Sequence, residues 1–335
     1  MDIQPDNLSD SNNPTYEHPE LAPFIKPRRS FIKKLRKYWL IITLIAFFAG
    51  SAGGFGIGRY SANQESTMAA QHQADEMTAI ANTISPTDGF KVQAVYGDVG
   101  PNLLDTGAID LTAFKQLYQQ NGQPLSDQEI KNLTQGSQDQ ITFTRQNARF
   151  LLNFFWALGL ANKNTILDNG PIQEASSGQI EGYASTGGWT LGTKSVSELF
   201  SSAAILSLTS EQQARVEEVA KAVYRPCCNN PTHFPDCNHG MAMLGLLELM
   251  ASQNATTDEM LQAAKSANAF WFPQQTLEQA IFFKATQKTK YPNIDAKLIV
   301  GQQYSSLSGF QNMHQWLSEN GLLEQTTKNG NNCGV

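Results

Sequence analysis

A chain of 335 residues, 41% hydrophobic and 16% charged, is long enough to bury one substantial core or two smaller ones. Its formal net charge of −6 becomes more negative beyond residue 59, where 25 acidic residues stand against 16 basic, a net of −9. That balance argues against nucleic-acid binding, which needs a positive surface, and four cysteines at this length do not make a disulfide-dense scaffold.

Residues 1–25 are polar, contain proline and lack apolar periodicity, so they read as a disordered cytoplasmic tail. Residues 26–37 carry seven Lys or Arg, and residues 38–58 follow with an uncharged apolar run of bilayer length, WLIITLIAFFAGSAGGFGIG from Trp39. The expectation is a single transmembrane helix. The basic cluster before it places the N-terminus in the cytoplasm and everything after it in the periplasm or outside the cell. Gly50, Gly54 and Gly58 recur at spacings of four, a small-residue face through which two such helices could associate. Residues 59–85, rich in Ala and Gln, read as a helical stalk or linker.

Residues 86–325 form the expected domain, mainly α: a multi-helix extracytoplasmic body with long ordered loops. Phe90–Tyr96 alternates as one short strand, and "GDVGPNLLDTGAID" reads as a turn-rich passage. A helix is expected over 110–120. Ser126 with Glu129 then forms a capping box opening a short helix that ends near Gly136. RQNARFLLNFFWALGLA, residues 145–161, is apolar over most of its surface and should be a central helix, with Trp156 either a core residue or a ligand shelf. Residues 165–193 read as loop, and 195–206 as a helix. Thr209 with Gln212 opens a further helix, 241–250 is another, and Thr256 with Glu259 caps the next, which runs to Phe270-Trp-Phe272 before Pro273. Helices are also expected over 276–284, 294–304 and around Phe310–Leu317.

The chain is organised around RPCCNNPTHFPDCNHG, residues 225–240. Cys227, Cys228 and Cys237 fall here with His233 and His239, and three prolines break regular structure, giving a knuckle between two helices. Thiolates interleaved with imidazoles suit Zn²⁺ and other borderline or soft cations. Zinc is the first candidate and copper the second, with Met241 and Met243 as extra thioethers for Cu(I) or as core filler. The candidate ligand set is Cys227, Cys228, His233, Cys237, His239 and, from the C-terminal segment 326–335, Cys333. Structural disulfides or a reactive dithiol remain the alternatives, because the usual zinc pattern separates paired ligands by two or more residues whereas Cys227 and Cys228 are adjacent. Cys237 and His239 fall at a helix N-terminus, where backbone N–H groups favour thiolate.

"CCNNPTHFPDCNHG" followed by "LLELMASQNATTDEMLQAA" is similar in layout to the CcmH-like proteins that handle apocytochrome thiols during cytochrome c maturation. They pair one membrane helix with an extracytoplasmic cysteine loop running into helices. The resemblance covers roughly 50 residues and implies thiol handling. That family separates its cysteines as C-x-x-C. Here the pair is adjacent and a third cysteine comes nine residues later, so the family's disulfide-reducing chemistry lacks its residue pattern. No GxSxG elbow, HExxH, P-loop, EF-hand loop or CxxCH is present. The resulting expectation is a membrane-anchored metal-binding protein with a structural or assembly role and an extracytoplasmic protein partner. Thiol–disulfide exchange and metal delivery or sensing are the alternatives.

Overall fold

Two apolar helices, Ala148–Ala161 and Asn238–Ser252, cross so closely that their glycines meet backbone to backbone. A Cβ on Gly159 would lie 2.1 Å from Met241 O, and one on Gly245 would lie 2.3 Å from Phe155 O. Every residue from His239 to Ala251 is buried, as a helix apolar on all sides requires. The computed structural model describes residues 68, 71–72 and 75–323, and the protein is mainly helical over them.

The other elements wrap this pair. Ser210–Ala222 packs on Asn238–Ser252, and Thr257–Trp271 packs on both central helices. Pro273–Gln287 then packs against the last helix, Leu307–Glu319. Trp271 donates its indole N–H to Ala148 O at 3.1 Å, and its ring meets Phe143, which also stacks with Phe155 and Phe270. The capping boxes at Ser126, Thr209 and Thr256 all form, and Asp110 caps the Leu111–Gln120 helix with its side chain.

The sheet is a two-stranded antiparallel ribbon, β1 (Phe90–Gly97) paired with β2 (Ser137–Phe143), with Phe90 opposite Phe143. β2 is not among the sequence expectations, because only Ile141 and Phe143 turn fully inward along it. Three further expectations are corrected. The passage after β1 contains a helix, Val99–Asp105, which no side chain caps. The stretch expected as a helix over 195–206 is helical only over Val196–Leu199. Ser201 there adopts a left-handed backbone, and the N–H groups of Ser201, Ser202 and Ala203 turn to the carbonyls of Leu160 and Ala161, capping the central helix instead of extending their own. The expected loop at 165–193 includes short helices at Thr165–Asn169 and Pro171–Ser176.

Residues 75–84 are helical. The end of this helix is fastened to the domain by the Arg145 guanidinium, which donates to Ser85 O, Ser85 Oγ and Asn82 Oδ1. Among the described residues no helix is long and apolar enough to cross a membrane. The expected anchor at 38–58, its glycine face, the flanking segments 1–25 and 26–37, and Cys333 lie outside the described residues.

Candidate metal centre

The knuckle hangs between the Ser210–Ala222 and Asn238–Ser252 helices, and its prolines leave backbone groups to be satisfied from elsewhere. Tyr224 N–H bonds Val300 O, Thr232 N–H bonds Val223 O and His233 N–H bonds Ala220 O. On the far side Leu307 N–H donates to Cys228 O at 2.9 Å and Ser308 N–H to Asn229 Oδ1, also at 2.9 Å. The loop is therefore held both by its own turns, such as Phe234 N–H on Pro231 O, and by Leu307 and Ser308 from an element distant in sequence.

This scaffold brings three sulfurs together. Cys227 Sγ lies 3.4 Å and Cys228 Sγ 3.9 Å from Cys237 Sγ, and all three thiols fall within 4.8 Å of one another. The three are free thiols, each partly accessible. The group could hold a metal ion. A tetrahedral ion with metal–sulfur bonds of about 2.3 Å has sulfur–sulfur edges of about 3.8 Å, close to the spacing found here. Cys237 is also the N-cap of the Asn238–Ser252 helix, its sulfur accepting Gly240 N–H at 3.4 Å.

Arg225 organises the site from beneath. It is 1% exposed, a placement costly for a charge unless every donor is met. Nε donates to Cys237 Sγ at 3.1 Å, Nη1 to Asn230 O at 2.9 Å, and Nη2 to Asp236 Oδ1 at 2.7 Å. Asn230 Nδ2 holds the other carboxylate oxygen at 2.7 Å. Burial works against the charge on Arg225, and Cys237, Cys228, Cys227 and Asp236 more than restore it.

Three thiols in contact cannot titrate alike. Hydrogen bonds from Cys227 and Cys228 hold Cys237 well below the usual thiol range, with Arg225 adding to them. Cys227 is raised, because its hydrogen bonds to Cys228 and Cys237 favour the protonated form. Cys228 is drawn down by Cys227 but raised by donating to Cys237 and by burial, ending at about 12. Cys237 is thus the thiol of the three that gives up its proton most readily, with two S–H donors beside it.

None of the other described sequence candidates belongs to this group of three. His239 is buried, and burial lowers its pKa to about 4. Its ring packs 4.4 Å from Phe272 and 6.0 Å from Trp271, and neither ring nitrogen has a hydrogen-bond partner among the described residues. His233 is half-buried, its pKa lowered first by burial and then by Lys221. Met241 and Met243 are fully buried in the helix crossing. His314 pairs with Glu278 at 2.7 Å. The residues that sequence reasoning missed are Arg225 and Asp236. Their signal was present as opposite charges placed just before the cysteine pair and just before Cys237.

Comparison with known protein families, curated proteins and solved structures finds no match to this chain.

Proposed function

We propose that this chain is a membrane-anchored metal-binding protein whose extracytoplasmic domain holds one transition-metal ion on Cys227, Cys228 and Cys237, in a structural or assembly role. The observation that carries the reading is the sulfur triangle, with edges of 3.4 and 3.9 Å to Cys237. Zinc is the first candidate, since three thiolates and one further donor make a closed tetrahedral set, and Cu(I) is the second. His239, Cys333 or solvent could supply the fourth position. Arg225 supports the assignment electrostatically: three thiolates around a divalent ion leave an excess negative charge, and a buried guanidinium sits against one of the sulfurs. Anchorage rests on the apolar run at 38–58 with its preceding basic cluster.

Thiol–disulfide exchange is the second reading, favoured by Cys237, a low-pKa thiol at a helix N-terminus with Cys227 at 3.4 Å as resolving partner. One preparation separates the two. The full chain is produced in an oxidising compartment and purified without added metal or chelator. Elemental analysis is then run beside a thiol count on the denatured protein. The metal reading expects about one ion per chain with the three knuckle thiols reduced. Absence of metal together with loss of the thiols to disulfide would overturn it and leave the exchange reading, which expects a defined two-electron potential.

A further inference from the structure

A cleft of about 400 Å³ opens beside the knuckle, lined among others by Gln123, Arg149, Asn153, Trp156, Trp189 and Asn238. Its volume lies in the range of small-molecule sites. The two tryptophans meet edge to face, ring centroids 5.0 Å apart. Both indole N–H groups are already used inside the protein, Trp156 on Ser185 O and Trp189 on Ala108 O. What they offer an incoming molecule is carbon surface, most of it on Trp156, since Trp189 is buried.

Arg149 supplies the charge. No acidic residue lines the cleft. Of the described arginines, Arg145, Arg215 and Arg225 each make side-chain hydrogen bonds. The Arg149 guanidinium has neither a hydrogen bond nor an ion pair among the described residues and rests only over the Tyr118 ring, 5.7 Å from its centroid. That ring is fixed in turn: Tyr118 Oη donates to Arg149 O and accepts from Asn153 Nδ2. Asn153 Oδ1 and Asn238 Nδ2 keep hydrogen-bonding capacity, and Asn238 begins a 15-residue helix whose positive dipole end adds to the field of Arg149.

We propose that this cleft binds a small organic carboxylate with a flat apolar body, the body against Trp156 and Trp189 and the carboxylate on Arg149. A guanidinium presents a planar fork that a carboxylate matches with two parallel hydrogen bonds. A single cation without a second positive side chain suits a monoanion rather than a phosphate ester. The site stands independently of any metal at the knuckle.

The test titrates the full chain with benzoate, cinnamate and 2-naphthoate, and with 2-naphthamide as the uncharged counterpart, by calorimetry and tryptophan fluorescence. Saturable carboxylate binding with Kd on the order of 0.1–1 mM is expected. The amide should bind about tenfold or more weakly. Arg149→Met should bring 2-naphthoate down to the level of the amide, Arg149→Lys should fall between, and Arg215→Met should change nothing. Trp156→Phe should reduce the fluorescence response. Lack of saturation by every carboxylate would overturn the proposal, as would equal binding of acid and amide. Should Arg149→Met not fold, the acid–amide comparison on the wild-type chain and the Arg149→Lys variant still decide.

Discussion

Arg225 and Gly240 compete for one volume: a Cβ on Gly240 would sit 2.3 Å from Arg225 Nη2, 2.5 Å from Cζ and 2.8 Å from Nε. Gly240 lies in the first turn of the Asn238–Ser252 helix, and its missing side chain is what lets the guanidinium reach the sulfur of Cys237. In an exposed helix Gly→Ala stabilises by about 1 kcal/mol. Here the sign should reverse, because Arg225 is held by Asn230, Phe234, Asp236 and Cys237 and cannot swing aside. Gly240→Ala is expected to destabilise by about 1–3 kcal/mol in denaturant unfolding. A stabilised variant would show that the guanidinium is free to move.

The thiol cluster makes a stoichiometric prediction about protons. Cys237 is the sulfur that ionises most readily, while Cys227 and Cys228 hold their protons more tightly. Ligation of one divalent ion by all three sulfurs should therefore release about two protons, and log K for zinc should rise by about two per pH unit near neutrality. Calorimetry in buffers of different ionisation enthalpy measures the release directly. Three protons would mean that Cys237 is an ordinary thiol, and none would mean that the thiols are not the ligands. Alkylation offers an independent check. Cys237 should be modified fastest at pH 6, and Cys227→Ala should slow it by removing a hydrogen-bond donor to the thiolate.

The close helix crossing predicts a larger loss. Gly245→Ala would place a methyl group 2.3 Å from Phe155 O and 2.7 Å from Gly159 N, both backbone atoms of the partner helix. No side chain can yield there, so the helices must part. Despite the better helix propensity of alanine, the expected cost is about 3 kcal/mol or more, read as a lower unfolding midpoint. A neutral result would mean that the two helices slide freely.

This crossing also marks where the sequence stops being legible. Apolar periodicity and capping boxes act within a few residues, so the helices opened by Ser126, Thr209 and Thr256 are readable, as are the two central helices. Gly159 and Gly245 carry no local sign that they face one another. The same limit applies at the site. The three cysteines announce themselves, but the burial of Arg225 depends on Gly240 and on a loop closed from Leu307 and Ser308. Trp156 shows only its apolar character. Its pairing with Trp189 arises when the 183–189 loop folds back, with Ser185 accepting the Trp156 indole N–H and donating its own N–H to Asp236 O.

Glu248 supplies a pH dependence of known sign. It lies in the middle of the Asn238–Ser252 helix, completely buried. Asn164 Nδ2 donates to Oε1, while Oε2 has no hydrogen-bond partner among the described residues. Burial raises its pKa well above the usual carboxyl range, and the neighbouring side chains of Asn164 and Asn162 offset only part of that. The folded protein therefore keeps this proton at pH values where the unfolded chain, with a pKa of about 4.3, has lost it. Below that value both states are protonated and the residue imposes no ionisation penalty. As pH rises above it, stability falls steadily until the folded-state pKa is reached. Glu248→Gln keeps the shape and an acceptor for Asn164 but cannot ionise. The variant should match the wild-type chain at pH 4 and become progressively the more stable of the two towards pH 8, measured by denaturant unfolding across that range. A constant difference at all pH values would mean that Glu248 is ionised in the fold, with a cation or ordered water beside Oε2.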